Sequence, residues 1–397
     1  MKVTARQLNR ATLERQMLLR RVYREVPDAV HELCALQVQE PASPYIALWN
    51  RISGFDPADL DRAFTDRSVV KATLMRMTLH GVHHQDYPHF YAAMHRRIRS
   101  GRVGDDRFTV SGLTGEEADA LIPVLRRYAA QHIRTGTEMD EHLAQHLGRP
   151  HPGLWWALKT YAPLHHAPTR GPWAFRGRSS FRAADRAWEK VKPDHAQRHL
   201  ATRYLEAFGP ATVRDFAQFS LLAMSSARAA IESAATRRLE GPEGRDLYDV
   251  LTKTVPDGDT PAPARLLGMW DSTLLAYSER DRIIPPEYRP VVIRRNGNVL
   301  PTILVDGYVA GVWRMLDGNV EVSAFTALPK RLGRAGGGGG GAENVRGREG
   351  SVVVQRLSPL VGEGPGGEGG QVASVSTGNT GGSAASCRVT DPKSSRM

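Results

Sequence analysis

Apolar residues recur at helical spacing from the start of the chain. Leu8, Ala11, Leu13, Met17 and Leu18 predict a helix over residues 4–20, with Thr4 placed as its N-cap. Further helices are predicted over about 28–36 and 44–52, and another starts after Asp56-Pro57. The period then changes: residues 69–78, rich in Val, Thr and Met, read as a strand. Thr114-Gly115-Glu116-Glu117 is a capping box opening a helix to about His132, followed by a shorter helix over 139–147. Residues 163–167 and 173–176 flank Thr169-Arg170-Gly171 and read as a hairpin. A third helical stretch begins near Ala196 and ends at Gly209-Pro210. Helices over 212–219 and 225–237 then follow at helix-turn-helix spacing. From Arg289 the pattern is one of strands: Val291-Val292-Ile293 and 299–305 flank Asn296-Gly297, a strong hairpin signal, and Asp306-Gly307 and Asp317-Gly318 mark two more turns.

Helices followed by short strands, repeated along the chain, predict a mainly α protein with small β elements (α+β). Three helices and a strand is the layout of a winged helix. The predicted organisation is a first module over 1–110, a second over 111–190, a third over 191–260, and a β-rich region over 261–330 forming a small barrel. Residues 331–397 differ in kind. They hold 18 of the 38 glycines and none of the 28 aromatic residues, too little apolar surface to offset the entropy of ordering them. They are expected to be a disordered tail.

Composition narrows the function. No stretch approaches 18 consecutive apolar residues, so no membrane partner is expected. The N-terminus lacks the apolar core of a secretory signal, and with Cys34 and Cys387 as the two cysteines neither a disulfide framework nor a cysteine-rich zinc site is available; a reducing cytoplasm fits. Of the net +11, the body carries +8 (45 basic, 37 acidic) and the tail +3 (8 basic, 5 acidic). An excess of arginine suits a polyanionic partner, although a GC-rich genome also inflates arginine.

Common catalytic signatures are absent: there is no G-x-x-x-x-G-K-[ST], no G-x-S-x-G and no H-E-x-x-H. His80, His83, His84 and His89 cluster in sequence but lack acidic or cysteine partners at ligand spacing, so neither metal nor cofactor is expected. Leu36-Gln37-Val38-Gln39-Glu40-Pro41 is more informative. Pro41 blocks a helix and biases Glu40 toward extended backbone. In extended chain, residues two apart share a face, so Gln37 and Gln39 project together while Val38 points inward. The pair could orient a water, or merely hold a loop.

The Gln-apolar-Gln segment at 37–39 resembles the signature of the bacterial winged-helix DNA glycosylases. So do Arg76-Met77-Thr78-Leu79-His80, Tyr204-Leu205 leading to Gly209-Pro210-Ala211-Thr212 and Asp215-Phe216, Asp281-Arg282, and Leu304-Val305-Asp306-Gly307 with Gly311-Val312-Trp313. The likeness covers residues 1–330 and stops near Arg331. It implies three tandem winged-helix modules in a C-shaped arrangement around duplex DNA. The implied reaction is hydrolysis of the N-glycosidic bond of N7-alkylated purines, with unhooking of interstrand crosslinks, in self-resistance to an azinomycin-type alkylating agent. Gln37 and Gln39 would be the catalytic residues and Arg76 and His80 would contact DNA. The partner would be double-stranded DNA with alkylated or crosslinked purines, bound by a monomer.

A base tied to the opposite strand cannot swing fully out of the duplex, so an inserted element would probe the DNA in place. The turn with Arg294, Arg295, Asn296 and Gly297 is the candidate, against the plainer reading of a barrel turn with solvated arginines. A monofunctional enzyme is expected, because none of the body's seven lysines adjoins the glutamine pair in sequence. The contrasting class is a winged-helix transcription regulator without catalysis, disfavoured because no dimerisation heptads are visible.

Overall fold

Side-chain caps set several helix starts. Thr4, Thr114, Thr135 and Thr212 each accept a bond from the backbone N–H three residues on, and Gln7, Glu117, Glu138 and Asp215 return the bond to the cap. The computed structural model describes residues 1–169, 173–175, 177–316, 319–328, 346–348 and 351–354. All of them belong to the unit Met1–Leu360.

The first stretch comprises α1 (Ala5–Arg15), α2 (Val26–Glu32), β1 (Leu36–Gln37), α3 (Ser43–Arg51), α4 (Pro57–Thr65), β2 (Val69–Thr73) and β3 (Leu79–His83). The single strand predicted over 69–78 is two. Arg76 and Met77 both take φ 54, which reverses the chain and folds the β-forming run back on itself. β2 and β3 then pair antiparallel from Val69↔His83 to Thr73↔Leu79.

Next come α5 (Tyr87–Val103), α6 (Asp106–Thr109), α7 (Gly115–Ala120), α8 (Ile122–Gln131), β4 (Arg134–Thr135), α9 (Gly136–Leu147), α10 (Leu154–Tyr161), β5 (Leu164–Ala167) and β6 (Ser180–Ala183). The predicted partner of β5 is corrected here: β5 pairs with β6, and Trp173-Ala174-Phe175 goes elsewhere. Trp173 stacks on Tyr45 at 5.1 Å, Phe175 meets Phe64 edge-on at 4.7 Å, and Ala174 N donates to Tyr45 Oη at 2.8 Å. Packing two half-buried aromatic rings against the core of the first stretch outweighs local hairpin pairing. Arg170, Gly171 and Arg176 lie outside the described residues. The strands assemble as a six-stranded sheet in the order β1-β3-β2-β5-β6-β4, with β1 at one edge.

The third stretch is α11 (Pro193–Phe208), α12 (Val213–Ser220), α13 (Met224–Ala234) and the hairpin β7 (Arg237–Glu240)–β8 (Asp246–Asp249). Tyr204, Phe208, Phe216 and Phe219 are wholly buried where these helices meet. After β9 (Arg265–Leu267) and α14 (Ser272–Leu275), Val291 and Val292 fall in a short helix, α15 (Arg289–Val292), instead of the predicted strand. Pro290 suits a first helical turn, and helical geometry buries Val292 while leaving Val291 exposed. The hairpin around Asn296-Gly297 survives as one bridge, Ile293↔Val299.

β10 (Thr302–Val305), β11 (Tyr308–Leu316) and β12 (Asn319–Ala324) form the predicted meander; Asp317-Gly318 between the last two lies outside the described residues. Two more strands, β13 (Arg346–Arg348) and β14 (Ser351–Val354), extend it into β13-β14-β12-β11-β10-β9. These seven residues correct the expectation of a featureless tail: the run Val352-Val353-Val354 is β-branched and can pair at an open edge. The rest of the tail lies outside the described residues. Among the described residues no helix is long and apolar enough to cross a membrane.

Candidate active site

The chain leaves α2 at Glu32, earlier than predicted, and Cys34 (φ 69) turns it into β1. β1 pairs with β3 through Leu36↔Gly81 and Gln37↔His80, and Val38 N donates to Leu79 O at 2.9 Å. Extended backbone over 36–38 gives the alternation that the sequence predicts. Val38 is fully buried on one side, against Gly81, where a Cβ would come within 3.0 Å of Val38 Cγ2. Gln37 is 5 % exposed, and Gln39, in the bend that follows β1, is open to solvent.

A polar chain locks Gln37. Arg76, swung inward by its left-handed turn, donates from Nη2 to Gln37 Oε1 at 3.4 Å and to His80 Nε2 at 3.2 Å. His80 Nδ1 lies 3.0 Å from Thr78 O and must be the protonated nitrogen for that bond, leaving Nε2 free to accept from Arg76. Burial and the Arg76 charge push the His80 pKa down to about 3, so its ring is neutral. Arg76 has its own pKa pushed down to about 10, by burial first and then by Arg280. Its guanidinium lies 5.2 Å from the Phe219 ring, and among the described residues its Nη1 has no hydrogen-bond partner. Gln39 Oε1 accepts from Leu79 N at 3.4 Å.

No free acid adjoins the pair. Glu40 Oε2 accepts from Ala42 N and Ser43 N at 2.8 Å and from Ser43 Oγ at 3.1 Å, which ties it to the start of α3. Beside Gln37 is a cavity of about 10 Å³, lined also by Gln16, Leu36, Arg51, Met269 and Asp271. That is room for about one water. Its far wall is held by the buried Arg51–Asp271 pair, bidentate at 2.9 and 3.0 Å.

The structure thus brings Gln37, Gln39, Arg76 and His80 together, with Arg76 and His80 behind the glutamines. His80 is 0 % exposed and neutral, which corrects the expectation of a DNA-facing histidine: its bonds go to Arg76 and the Thr78 carbonyl. Arg294, Arg295, Asn296 and Gly297 are elsewhere, on an exposed tight turn closed by Arg294 N to Asn298 O and Gly297 N to Arg294 O, both 2.9 Å. Trp270 Nε1 donates to Gly297 O at 3.1 Å, so a neighbour of the cavity residue Met269 fixes the turn.

Sequence reasoning missed Arg280, whose charge bears on Arg76, and an acidic centre among the histidines. Asp86 accepts from His31 Nδ1 and His199 Nε2, both at 2.8 Å. Burial pushes the Asp86 carboxyl up, but the bonds from His199 and His31 and the Arg203 charge hold it well below the usual carboxylate range. His31, His83 and Asp86 are the described residues whose ligand atoms converge, within 4.8 Å of one another. His31 comes from α2, so spacing around residues 80–89 could not reveal it. With both Asp86 oxygens bonded to histidines on different helices, the cluster works as a brace joining α2, the start of α5 and α11.

The buried histidines set a pH dependence of stability. His80, His165 and His166 are pushed down to about 3, 4 and 3, chiefly by burial, whereas an unfolded histidine titrates near 6.5. As pH falls through about 6.5 the unfolded chain takes up protons that the folded chain refuses, so stability is full above that value and lost progressively toward pH 4. Urea midpoints at pH 7.5, 5.5 and 4.5 are expected to fall steadily. A flat profile would contradict the burial of these rings.

Comparison with known proteins gives the same direction. A family model described as "DNA glycosylase AlkZ-like" matches residues 30–342. The chain belongs to the AlkZ-like DNA glycosylase family. The match runs past Arg331, where the sequence likeness was expected to stop. Over 350 residues the chain is 28 % identical to the "Interstrand DNA cross-link repair glycosylase" of Streptomyces sahachiroi, covering 82 % of this chain and 91 % of that relative. The solved structure of the Streptomyces sahachiroi DNA glycosylase AlkZ shares the fold, with a TM-score of 0.70 at 24 % identity over 83 % of this chain and 93 % of that one. The fold is mixed helix and sheet, with the Gln37 strand at the edge of the first sheet.

Proposed function

We propose that this protein is a monofunctional DNA glycosylase that hydrolyses the N-glycosidic bond of N7-alkylated purines and unhooks interstrand crosslinks, in resistance to an azinomycin-type alkylating agent. The observation behind this reading is a pair of neutral amides, Gln37 on the edge strand with Arg76 3.4 Å behind it and Gln39 in the bend that follows, the inner one next to space for one water. Alkylation at N7 makes the purine a cationic, easily departing base, so no strong general acid is required. The remaining work is to place a water and to favour an oxocarbenium-like sugar, which is orientation and electrostatics. An amide does not act as a strong base, but it orients water through its lone pairs and N–H groups. With Oε1 held by Arg76, the Gln37 amide has its Nε2 and one remaining lone pair for water or sugar. Neutral lesions such as uracil should be poor substrates.

The helix-rich stretches 1–110, 111–190 and 191–260 would be three winged-helix modules curving round the duplex. The sheet beyond residue 261 would be the small barrel that completes a monomeric enzyme. The third stretch favours this most, since α11, α12, α13 and the β7–β8 hairpin follow winged-helix order. Duplex DNA carrying N7-methylguanine provides the test. Wild-type protein should leave alkali-labile abasic sites at the lesion, whereas sequence-dependent binding without product would mean a transcription regulator.

Two further expectations belong to this reading. Charge reversal at both Arg294 and Arg295 should weaken duplex binding and excision together if that turn enters a groove; unchanged activity assigns the turn to the barrel alone. Borohydride should trap no enzyme–DNA adduct. Lys71 has its pKa pushed down to about 8 by burial, but it faces Phe175 at 4.1 Å on the side of the sheet opposite Gln37. A trapped adduct would overturn the monofunctional assignment.

A further inference from the structure

The first sheet links the glutamine edge to a second charged feature. Gln37 is paired with His80, and His80 with Ala72. Lys71↔His166 places Ala72 opposite His165, which pairs with Arg182. Gln37 and Arg182 therefore occupy one cross-strand row, on the same side of the sheet, four strand spacings apart. At about 4.8 Å per spacing that is roughly 19 Å.

Arg182 lines an open cleft of about 800 Å³, together with Arg67, Arg126, Arg127, His132 and Arg186. One carboxylate, Asp185, lines it too and accepts from Ala187 N at 2.9 Å, leaving arginine in excess; nearby Glu189 pairs with Arg126 at 3.3 Å and Arg186 at 2.6 Å. Among the described residues, Arg67, Arg127 and Arg182 make no ion pair. Arg67 lies near enough to Arg182 to push its pKa down beyond the effect of burial. An excess of like charges over carboxylates favours an incoming polyanion.

We propose that this arginine cleft grips the sugar–phosphate backbone of undamaged duplex flanking the lesion. This proposal rests on the glycosylase reading. At 3.4 Å per base-pair step, roughly 19 Å is about five or six steps. The row between its ends is buried, with His80, Ala72 and His165 0 %, 3 % and 6 % exposed and the Tyr87 ring 4.3 Å from His165, so a duplex must pass around what covers it and that length is a minimum. Substrates with shorter flanks therefore forgo this contact.

The test uses the full chain and hairpin-closed duplexes of about 6 and about 24 base pairs, each with one central N7-methylguanine, with affinity measured against salt before excision. Each phosphate contact adds about 0.9 to the slope of log affinity against log salt. The double variant Arg67→Gln/Arg182→Gln removes solvent-accessible groups that hold no ion pair, so its melting temperature should match wild type. Its slope should fall by about 1.8 on the long duplex and stay unchanged on the short one. An unchanged slope on the long duplex, or an equal fall on both, would overturn the flank contact and leave the glycosylase reading intact. Failure of the wild type to bind either duplex would remove both.

Discussion

Gln37→Ala is expected to slow excision of N7-methylguanine by about 10²–10³-fold in single turnover, the usual cost of losing one preorganised polar group at a reacting centre. Affinity for the duplex should stay within a few-fold of wild type, because Gln37 is 5 % exposed and contributes little contact area. The loss should appear in the rate at saturating enzyme. Two features make the effect large. The Gln37 amide is held by Arg76, which His80 backs, and His80 is in turn anchored on the Thr78 carbonyl, so its direction is set before DNA arrives. Glu40 is committed to the start of α3 and cannot substitute as a base. Gln39→Ala should also slow excision. Arg76→Ala should resemble Gln37→Ala, since it frees the amide and leaves His80 Nε2 unpaired. A Gln37→Ala enzyme with wild-type single-turnover rate would mean that the water is placed by other groups.

The second large effect is on binding. If six to ten phosphates are contacted, affinity for duplex should fall about 10³–10⁵-fold between 50 and 200 mM salt. The body's 45 basic against 37 acidic residues make this the expected regime, and the unpaired arginines of the cleft on the first sheet are part of it. Fluorescence anisotropy across that range measures it directly. A flat response would contradict a charged DNA-binding surface.

The extended backbone entering this segment at Leu36–Gln37 was legible because Pro41 and one apolar residue between two polar ones leave few conformations. The cap signals were equally local: Thr114 with Glu117 forms the predicted box. What failed was decided at a distance. Nothing near 69–78 says that Arg76 and Met77 take φ 54, yet that reversal delivers Arg76 to Gln37. Trp173 and Phe175 look like a strand in isolation and are claimed by Tyr45 and Phe64 far earlier in the chain. Nothing but local spacing is needed for α5, where Tyr87, Phe90, Tyr91, Met94 and Ile98 recur at helical period. His31 and His199 reach Asp86 from two other helices, a convergence invisible to spacing.

The decisive measurement is the fate of a duplex crosslinked through the N7 atoms of purines on opposite strands, resolved on a denaturing gel after incubation with wild-type protein and with Gln37→Ala/Gln39→Ala. The account predicts that wild type converts the slow crosslinked band to single strands with alkali-labile sites in both, and that the double variant leaves it intact. No conversion by wild type, or equal conversion by the variant, would contradict it.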